Sequence, residues 1–137
     1  MAFSLYGRWY TWRQRWAVIF KAYWRYVPNR WYLLVGLIAQ ILLWFFAYQM
    51  FRAVGGDLFL AHYNVDFGID SIGDSRRAFN VPLLGAAVFL LNWLLVILAV
   101  GRAHFHFLAH ACGLATLLAQ VLAALALMSL YLINFIA

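Results

Sequence analysis

The sequence is poor in charged residues, and acidic side chains are the scarcest. Its 137 residues include four aspartates and no glutamate, and charged residues of both signs make up 10% of the chain, where a soluble domain carries about 25%. A disordered chain combines low hydrophobicity with high net charge, which the 68% hydrophobic content excludes. A soluble globule of this size could not hide so much apolar surface, because a small domain buries only part of its chain.

Cysteine and the common catalytic motifs are scarce or missing as well. Cys112 is the single cysteine, whereas a small disulfide-stapled secreted scaffold needs several. The sequence contains no nucleophile elbow, phosphate-binding glycine loop, HExxH or paired CxxC motif. We therefore expect no catalytic residue, no metal site and no cofactor, and we expect that the protein is not an enzyme.

What the sequence does contain is long apolar runs. Three segments reach the length of a transmembrane helix, about 20 mostly apolar residues, at residues 31–53, 81–100 and 107–136. Lipid offers the backbone no hydrogen-bond partners, so isolated spans must be helical. The predicted fold class is an all-α integral membrane protein, with three transmembrane helices preceded by an amphipathic interfacial helix.

The basic residues predict the orientation of these spans. Six of the ten precede the first span, and Arg102 lies between the second and third. The loop at residues 54–80 contains Arg76 and Arg77, with Arg52 at its border, and it also contains all four aspartates. The positive-inside rule therefore places the N-terminus in the cytoplasm, and the loop and the C-terminus outside. We expect a multi-pass protein of the cytoplasmic membrane.

The segment before the first span predicts a helix lying in the membrane interface. At 100° per residue, the aromatic and aliphatic side chains of residues 8–25 gather on one face, and basic residues flank them. Such a helix places rings among headgroups and basic side chains on anionic phosphates. Arginine beside aromatics also suits nucleic acid, but the adjoining span makes the membrane the nearer anionic partner. Docking to a protein stays open. The predicted anchor residues are Trp9, Trp12, Arg13, Arg15 and Trp16.

Pro28 and Asn29 predict where this helix ends and the first span begins. Proline interrupts a helix, and asparagine is a favoured residue at a helix N-terminus. We therefore divide the chain into a cytoplasmic interfacial segment at residues 1–30 and a membrane domain at residues 31–137, with the outward loop at residues 54–80.

Each predicted span carries an amide near its middle, namely Gln40, Asn92 and Gln120. Amides hydrogen-bond across membrane helices, and small residues let the backbones approach. We therefore expect a three-helix bundle with the amides turned inward at similar depth. The residues that share their helical faces are Gly36, Ala47, Gly85, Ala99, Gly113 and Ala124, with His106, His110 and Tyr131 on the third span.

His106 and His110 are four residues apart, so one helix face presents both. This spacing suits a metal ion, and one imidazole could face a haem iron. Neither site is complete, because a further ligand at matching depth is missing from the other helices and Cys112 points elsewhere. The interpretation that we favour is interfacial hydrogen bonding or headgroup contact.

The outward loop is the least membrane-like part of the chain, and two geometries compete for it. A helix would stack His62, Asp66, Asp70 and Asp74 into a cation site, whereas four glycines in the loop argue against a long helix. Alternating β-branched and aromatic residues favour an extended piece at residues 58–67, followed by turns around Gly68 and Gly73. Loops on a rigid scaffold often carry recognition. The predicted recognition residues are His62, Asn64, Asp66, Gly68, Asp70 and Gly73.

In this loop His62-Tyr63-Asn64 stands first, and Asp70 and Gly73 follow eight and eleven residues after His62, ahead of Pro82 and Gly85 in the next span. This pattern resembles the loop of a bacterial membrane family, the domain of unknown function of Sdp-type immunity proteins and related small membrane proteins. The pattern departs from the family in three ways, which are Ala61 in place of proline, Gly68 one residue late, and the extra polar Asp66. The chain is also similar to uncharacterised three-span proteins of bacteria. The resemblance implies a bacterial inner-membrane protein that interacts with an extracytoplasmic molecule.

Together these features predict a non-enzymatic accessory or interaction subunit of the membrane. It would belong to a larger membrane complex or a homo-oligomer, and it would not bind nucleic acid. The alternative is an immunity or signalling-type membrane protein that binds an extracytoplasmic peptide or ligand through residues 54–80. A membrane subunit that uses His106 and His110 to hold a cofactor is a third hypothesis.

Overall fold

A computed structural model describes the backbone of residues 2–54, 59–64 and 68–135, and the side chains of residues 8–54 and 74–135. Four helices and a short hairpin make up this part of the chain. In order they are α1 (Ala2–Arg25), α2 (Val27–Val54), β1 (Phe59–Asn64), β2 (Gly68–Gly73), a 3₁₀ turn (Ser75–Phe79), α3 (Asn80–Ala99) and α4 (Phe105–Phe135).

Three helical segments are long and apolar enough to cross a membrane, at Val27–Val54, Ser75–Ala99 and Phe105–Phe135. The chain is thus a multi-pass membrane protein with a helical body, as its sequence predicts. The first span begins four residues earlier than expected, and the second includes the 3₁₀ turn. Many large apolar side chains on these helices are exposed, which in lipid is the ordinary state of a membrane-spanning surface.

The helices pack around two clusters of buried side chains. One cluster joins Tyr23 of α1 to the end of α3 and the start of α4, and Phe105 and Ala109 belong to it. The other joins Ala47 of α2, Ala78 of the 3₁₀ turn and Leu127 of α4. Later residues of α2 contact later residues of α4, so these two helices run parallel. The helix α3 runs antiparallel to both and connects the two clusters.

α1 and α2 meet at a bend centred on Tyr26. Pro28 lies in the first turn of α2, where a proline removes no helical hydrogen bond. The carbonyls of the last turn of α1 are satisfied by side chains, since Asn29 Nδ2 donates to Tyr23 O at 3.2 Å and Arg30 Nε donates to Trp24 O at 2.6 Å. The expectation that Asn29 caps the first span was wrong, because this buried side chain bonds to the end of the preceding helix.

The segment after α2 forms an antiparallel hairpin that the all-α prediction did not include. β1 pairs with β2 from Phe59 opposite Gly73 to Asn64 opposite Gly68, with irregular pairing around His62. The helical alternative for this loop was wrong, because both described stretches are extended. The extended piece expected at residues 58–67 is confirmed at 59–64, whereas the turn expected at Gly68 is instead the start of a second strand.

The hairpin returns to the bundle through the 3₁₀ turn. Asp74 precedes the turn and its Oδ1 accepts the Arg76 backbone N–H at 2.8 Å. Ser75 and Ala78 are buried, and this turn lies against α2. At the other end of α3, Gly101 has a φ of +83° in the turn that leads to α4. This left-handed conformation explains the glycine.

Candidate functional site

The centre of the bundle contains a hydrogen-bonded pair of amides. Gln120 Nε2 donates to Gln40 Oε1 at 2.9 Å, and Gln40 Nε2 donates to the Pro82 carbonyl at 2.6 Å. Both glutamines are buried. A Cβ on Gly85 would lie 3.3 Å from Gln40 Oε1 and 3.5 Å from Gln120 Oε1. Three helices therefore meet at one polar point, and Gly85 leaves the space for it.

Asn92, the third predicted amide, lies in a separate layer. Its Nδ2 donates to Thr116 Oγ1 at 3.1 Å, and that hydroxyl donates to the Cys112 carbonyl at 2.9 Å. Thr116 is one helical turn before Gln120. Asn92 therefore lies about one helical turn from the Gln40–Gln120 pair, and its side chain also bridges two helices.

Two further glycines receive aromatic rings from a neighbouring helix. A Cβ on Gly36 would come within 2.7 Å of the Phe89 ring, and a Cβ on Gly113 within 2.5 Å of the Tyr32 ring. Ala47 and Ala99 are buried as well. Ala124 and Tyr131, which were expected on the inward face of the third span, are exposed instead. The inward face of α4 instead follows Gln120, Ala123, Leu127 and Leu130, so Ala124 and Tyr131 each lie one residue past an inward position.

A small cavity of about 30 Å³ lies beside Asn92, with Tyr23, Tyr32 and Trp93 among its walls. The Trp93 indole N–H is buried on this wall, and burial raises the pKa of the Tyr23 hydroxyl more than the interaction with this indole lowers it. A cavity of this volume has room for a water molecule, and polar walls are what such a water needs.

His110 is held by two tyrosines at the junction of α1, α2 and α4. The Tyr26 hydroxyl lies 2.8 Å from His110 Nε2, and the Tyr32 hydroxyl lies 2.9 Å from Nδ1. A neutral imidazole donates through one nitrogen and accepts through the other, and a hydroxyl can take either role. His106 contacts the ring of Tyr26, with centroids 4.5 Å apart. The geometry thus agrees with the hydrogen-bonding interpretation for His110, whereas His106 makes ring contacts.

Among the side chains that the structure describes, no three His, Cys or acidic residues lie close enough to hold a metal ion. Both ring nitrogens of His110 already have a hydroxyl partner, so a metal would have to displace one of them. The sequence could not point to Tyr26 and Tyr32 as these partners, because they lie more than 75 residues away along the chain.

The aromatic face of α1 is divided between the bundle and the exterior. Tyr23 is buried, and Trp16 and Ile19 pack against the same cluster. Burial raises the pKa of the Tyr23 hydroxyl above its ordinary value. Of the predicted anchor residues, Trp16 therefore contacts the bundle, whereas the other four are exposed: Trp9, Trp12, Arg13 and Arg15. The Arg13 guanidinium lies 5.9 Å from the centre of the Trp9 ring.

The predicted recognition residues share the hairpin. His62 and Asn64 lie on β1, and Gly68, Asp70 and Gly73 lie on β2. Asp66 lies outside the described residues, and the side chains of the other five do as well. β1 lies against α4, which ties this hairpin to the end of the bundle.

Comparison with protein-family models, with curated proteins and with solved structures gives no match for this chain.

Proposed function

We propose that this chain is a non-enzymatic integral membrane protein that acts as an accessory or interaction subunit. It lies in the inner membrane of a bacterium, with the N-terminus in the cytoplasm and the hairpin outside. The observation that carries the proposal is that the helical bundle holds an extended hairpin at one end, with β1 against α4 and the 3₁₀ turn against α2. The buried Gln40–Gln120 bond and the partly buried Asn92–Thr116 bond join the three spans, and the 3₁₀ turn, with Ser75 and Ala78 buried, fixes the return of the hairpin to α2.

The exposed half of α1 supports attachment to the cytoplasmic membrane surface. Trp9 is 56% exposed and Trp12 is 58% exposed, with Arg13 and Arg15 beside them. Tryptophan rings are enriched at the membrane interface, and each basic residue near an anionic surface contributes about 1 kcal/mol. The bundle leaves this face exposed, and a bilayer with anionic headgroups would contact both its tryptophan rings and its arginine side chains.

The hairpin favours a second candidate, an immunity or signalling-type protein that binds an extracytoplasmic peptide. β1 and β2 form a two-stranded sheet, and the outer edge of β2 has no further strand beside it among the described residues. An extended peptide can add to such an edge through backbone hydrogen bonds. The segment that resembles the Sdp-type loop, residues 62–73, covers most of this hairpin.

Photo-crosslinking in intact cells tests the proposal. A photoreactive amino acid replaces Ser71 on β2 in one variant and Leu118, a 61% exposed side chain of α4, in the other. We expect one discrete adduct from position 71 and only lipid adducts from position 118. A membrane-protein adduct supports the accessory subunit, and a secreted peptide supports the second candidate. Equal, diffuse adducts from both positions would contradict both.

A further inference from the structure

A surface groove flanked by α2 and α4 lies beyond the Gln40–Gln120 pair, over the packed side chains of Leu43, Met50 and Leu127. Its volume is about 930 Å³, and aliphatic and aromatic side chains of the two helices form most of its walls. Leu43 and Ala124 lie at its inner end. Phe46 and Met128 line it and are 57% and 59% exposed, so the groove is open to the surroundings of the bundle.

The length of the groove matches one leaflet of a bilayer. Its walls extend from Leu43 to Ala53 on α2 and from Ala124 to Phe135 on α4, which is about 15 Å at 1.5 Å per residue. The hydrocarbon core of a bilayer is about 30 Å thick, so one leaflet spans about 15 Å. An acyl chain lying along the helices would therefore fill the groove from end to end.

Polar groups line the groove at its outer end, where Arg52 of α2 and Tyr131 of α4 both belong to its walls. The Arg52 guanidinium also lies 5.9 Å from the centre of the exposed Tyr48 ring. Arg52 lies twelve residues beyond Gln40 and Tyr131 eleven beyond Gln120, which places both about 17 Å from the level of the amide pair. Arg30 and Arg52 bracket the apolar part of α2 at about 33 Å from each other, with Gln40 near the middle. Arg52 and Tyr131 therefore lie at headgroup level.

We propose that this groove binds one anionic phospholipid of the surrounding bilayer. One acyl chain lies between α2 and α4, and the phosphate contacts the Arg52 guanidinium, with the Tyr131 hydroxyl beside it. An arginine presents a planar set of donors that matches phosphate oxygens, and its positive charge favours an anionic headgroup over a zwitterionic one. This inference goes beyond the proposed function, because it needs only the membrane-spanning helices.

Native mass spectrometry of the full chain tests the assignment, with phosphatidylglycerol and phosphatidylcholine of identical acyl chains as probes. We expect one tightly held phosphatidylglycerol and a preference of about fivefold over phosphatidylcholine, the factor that one basic residue near an anionic lipid supplies. Arg52→Gln removes the preference. Arg76→Gln is the matched control, because Arg76 is exposed and lies 3.8 Å from Asp74.

Filling the groove gives an independent test of where the lipid lies. Ala124→Trp blocks the inner end and should abolish the bound lipid, and Ala53→Trp on the opposite wall gives the same result if the first variant does not fold. Ala126→Trp, at an exposed position of α4 outside the groove, should retain it. Equal retention of both lipids by wild type and Arg52→Gln, or retention by the groove-filled variants, would overturn the proposal. The proposal would also be overturned if Ala124→Trp and Ala53→Trp both released a bound protein or a second copy of the chain while lipid binding stayed unchanged.

Discussion

At the scale of single residues, Gln40 and Gln120 differ in the number of hydrogen bonds that each side chain makes. Gln40 makes two hydrogen bonds, whereas Gln120 makes one, and its Oε1 has no partner among the described residues. Interhelical hydrogen bonds in membranes contribute about 0.6 kcal/mol on average. We therefore predict that Gln40→Leu lowers the free energy of unfolding by about 1 kcal/mol, roughly twice the loss caused by Gln120→Leu.

Thermal unfolding in detergent, followed by circular dichroism, measures this difference. The double variant should lose less than the sum of the two single variants, because it removes both ends of the shared bond. Gln49→Leu is the control, since Gln49 is an exposed amide of the same helix. Equal losses for the two single variants would contradict the unequal bonding.

Gly113 is the position where a single methyl group should do most harm. A Cβ at this position would lie 2.5 Å from the Tyr32 ring, and the Tyr32 hydroxyl is bonded to His110, so the ring cannot move away without straining that bond. We predict that Gly113→Ala destabilises the bundle by about 1–3 kcal/mol, the usual cost of overpacking. Gly85→Ala should cost less, because its nearest neighbour is the end of a glutamine side chain.

Unfolding measurements on these two variants, with Ala115→Gly as a control at an exposed position of α4, test the order. Replacing Tyr32 by leucine in the Gly113→Ala background should recover part of the lost stability. If Gly85→Ala proved the more damaging change, the packing at Gly113 would be looser than its contacts indicate.

The sequence predicts some of these residues and not others, for a physical reason. Amides and glycines in apolar helices are visible because their polarity or size is unusual there, and Gln40, Gln120, Gly36 and Gly113 were found in this way. Thr116 and the Pro82 carbonyl were missed. Thr116 bonds a carbonyl of its own helix, as threonines in apolar helices commonly do, so its second bond to Asn92 cannot be predicted from the sequence. The Pro82 acceptor is a backbone carbonyl, which every residue has.

At the scale of elements, the attachment of α1 depends on a buried tyrosine. Burial raises the pKa of Tyr23, so the folded state favours the neutral hydroxyl. The stability that this contributes is fully present below the unfolded value near pH 10, and it is lost as the pH rises through the higher folded value. We predict that alkaline pH above about 10 destabilises wild type more than Tyr23→Phe.

Unfolding temperatures between pH 8 and 11.5 measure this effect. Tyr10→Phe is the matched control, because Tyr10 lies on the same helix and is 52% exposed, and it should follow wild type. An identical alkaline loss in Tyr23→Phe would place the titrating group elsewhere.

The 3₁₀ turn depends on the side chain of Asp74. Its Oδ1 accepts the Arg76 backbone N–H, whereas its ion pair with the Arg76 guanidinium spans 3.8 Å between exposed groups and contributes little. We predict that Asp74→Ala lowers the unfolding free energy by about 1 kcal/mol, the usual value of a cap. Asp74→Asn keeps the acceptor and should stay near wild type in the same measurement. A loss in Asp74→Asn equal to that in Asp74→Ala would mean that the charge matters and the cap does not.

Sequence periodicity predicted the helices well and the hairpin only in part. Spans of apolar residues leave one viable structure in lipid, so their existence follows from composition. The second strand was missed because Gly68 and Gly73 are typical of turns, and here they stand at its two ends. The bend between α1 and α2 was found from Pro28, but the role of Asn29 depends on the carbonyls that the bend exposes.

At the scale of the whole molecule, the distribution of charge and the helical packing limit the arrangement in the membrane. α2 and α4 run parallel and α3 antiparallel, so the hairpin lies at one end of the bundle and the Tyr26–His110 cluster at the other. Seven basic residues flank the cluster end, counting Arg102, against two or three near the hairpin. The positive-inside rule acts through such short flanking segments.

We therefore predict that a reporter fused after Phe135 lies outside the cytoplasm and one inserted after Gly101 lies inside. Alkaline phosphatase, which folds outside, should be active at position 135 and inactive at 101, and green fluorescent protein should give the opposite pattern. The two sites lie at opposite ends of the same span, α4, so each is the control for the other. Fluorescence at position 135 with phosphatase activity at 101 would invert the topology, and it would place the hairpin in the cytoplasm with the exposed face of α1 on the outer surface.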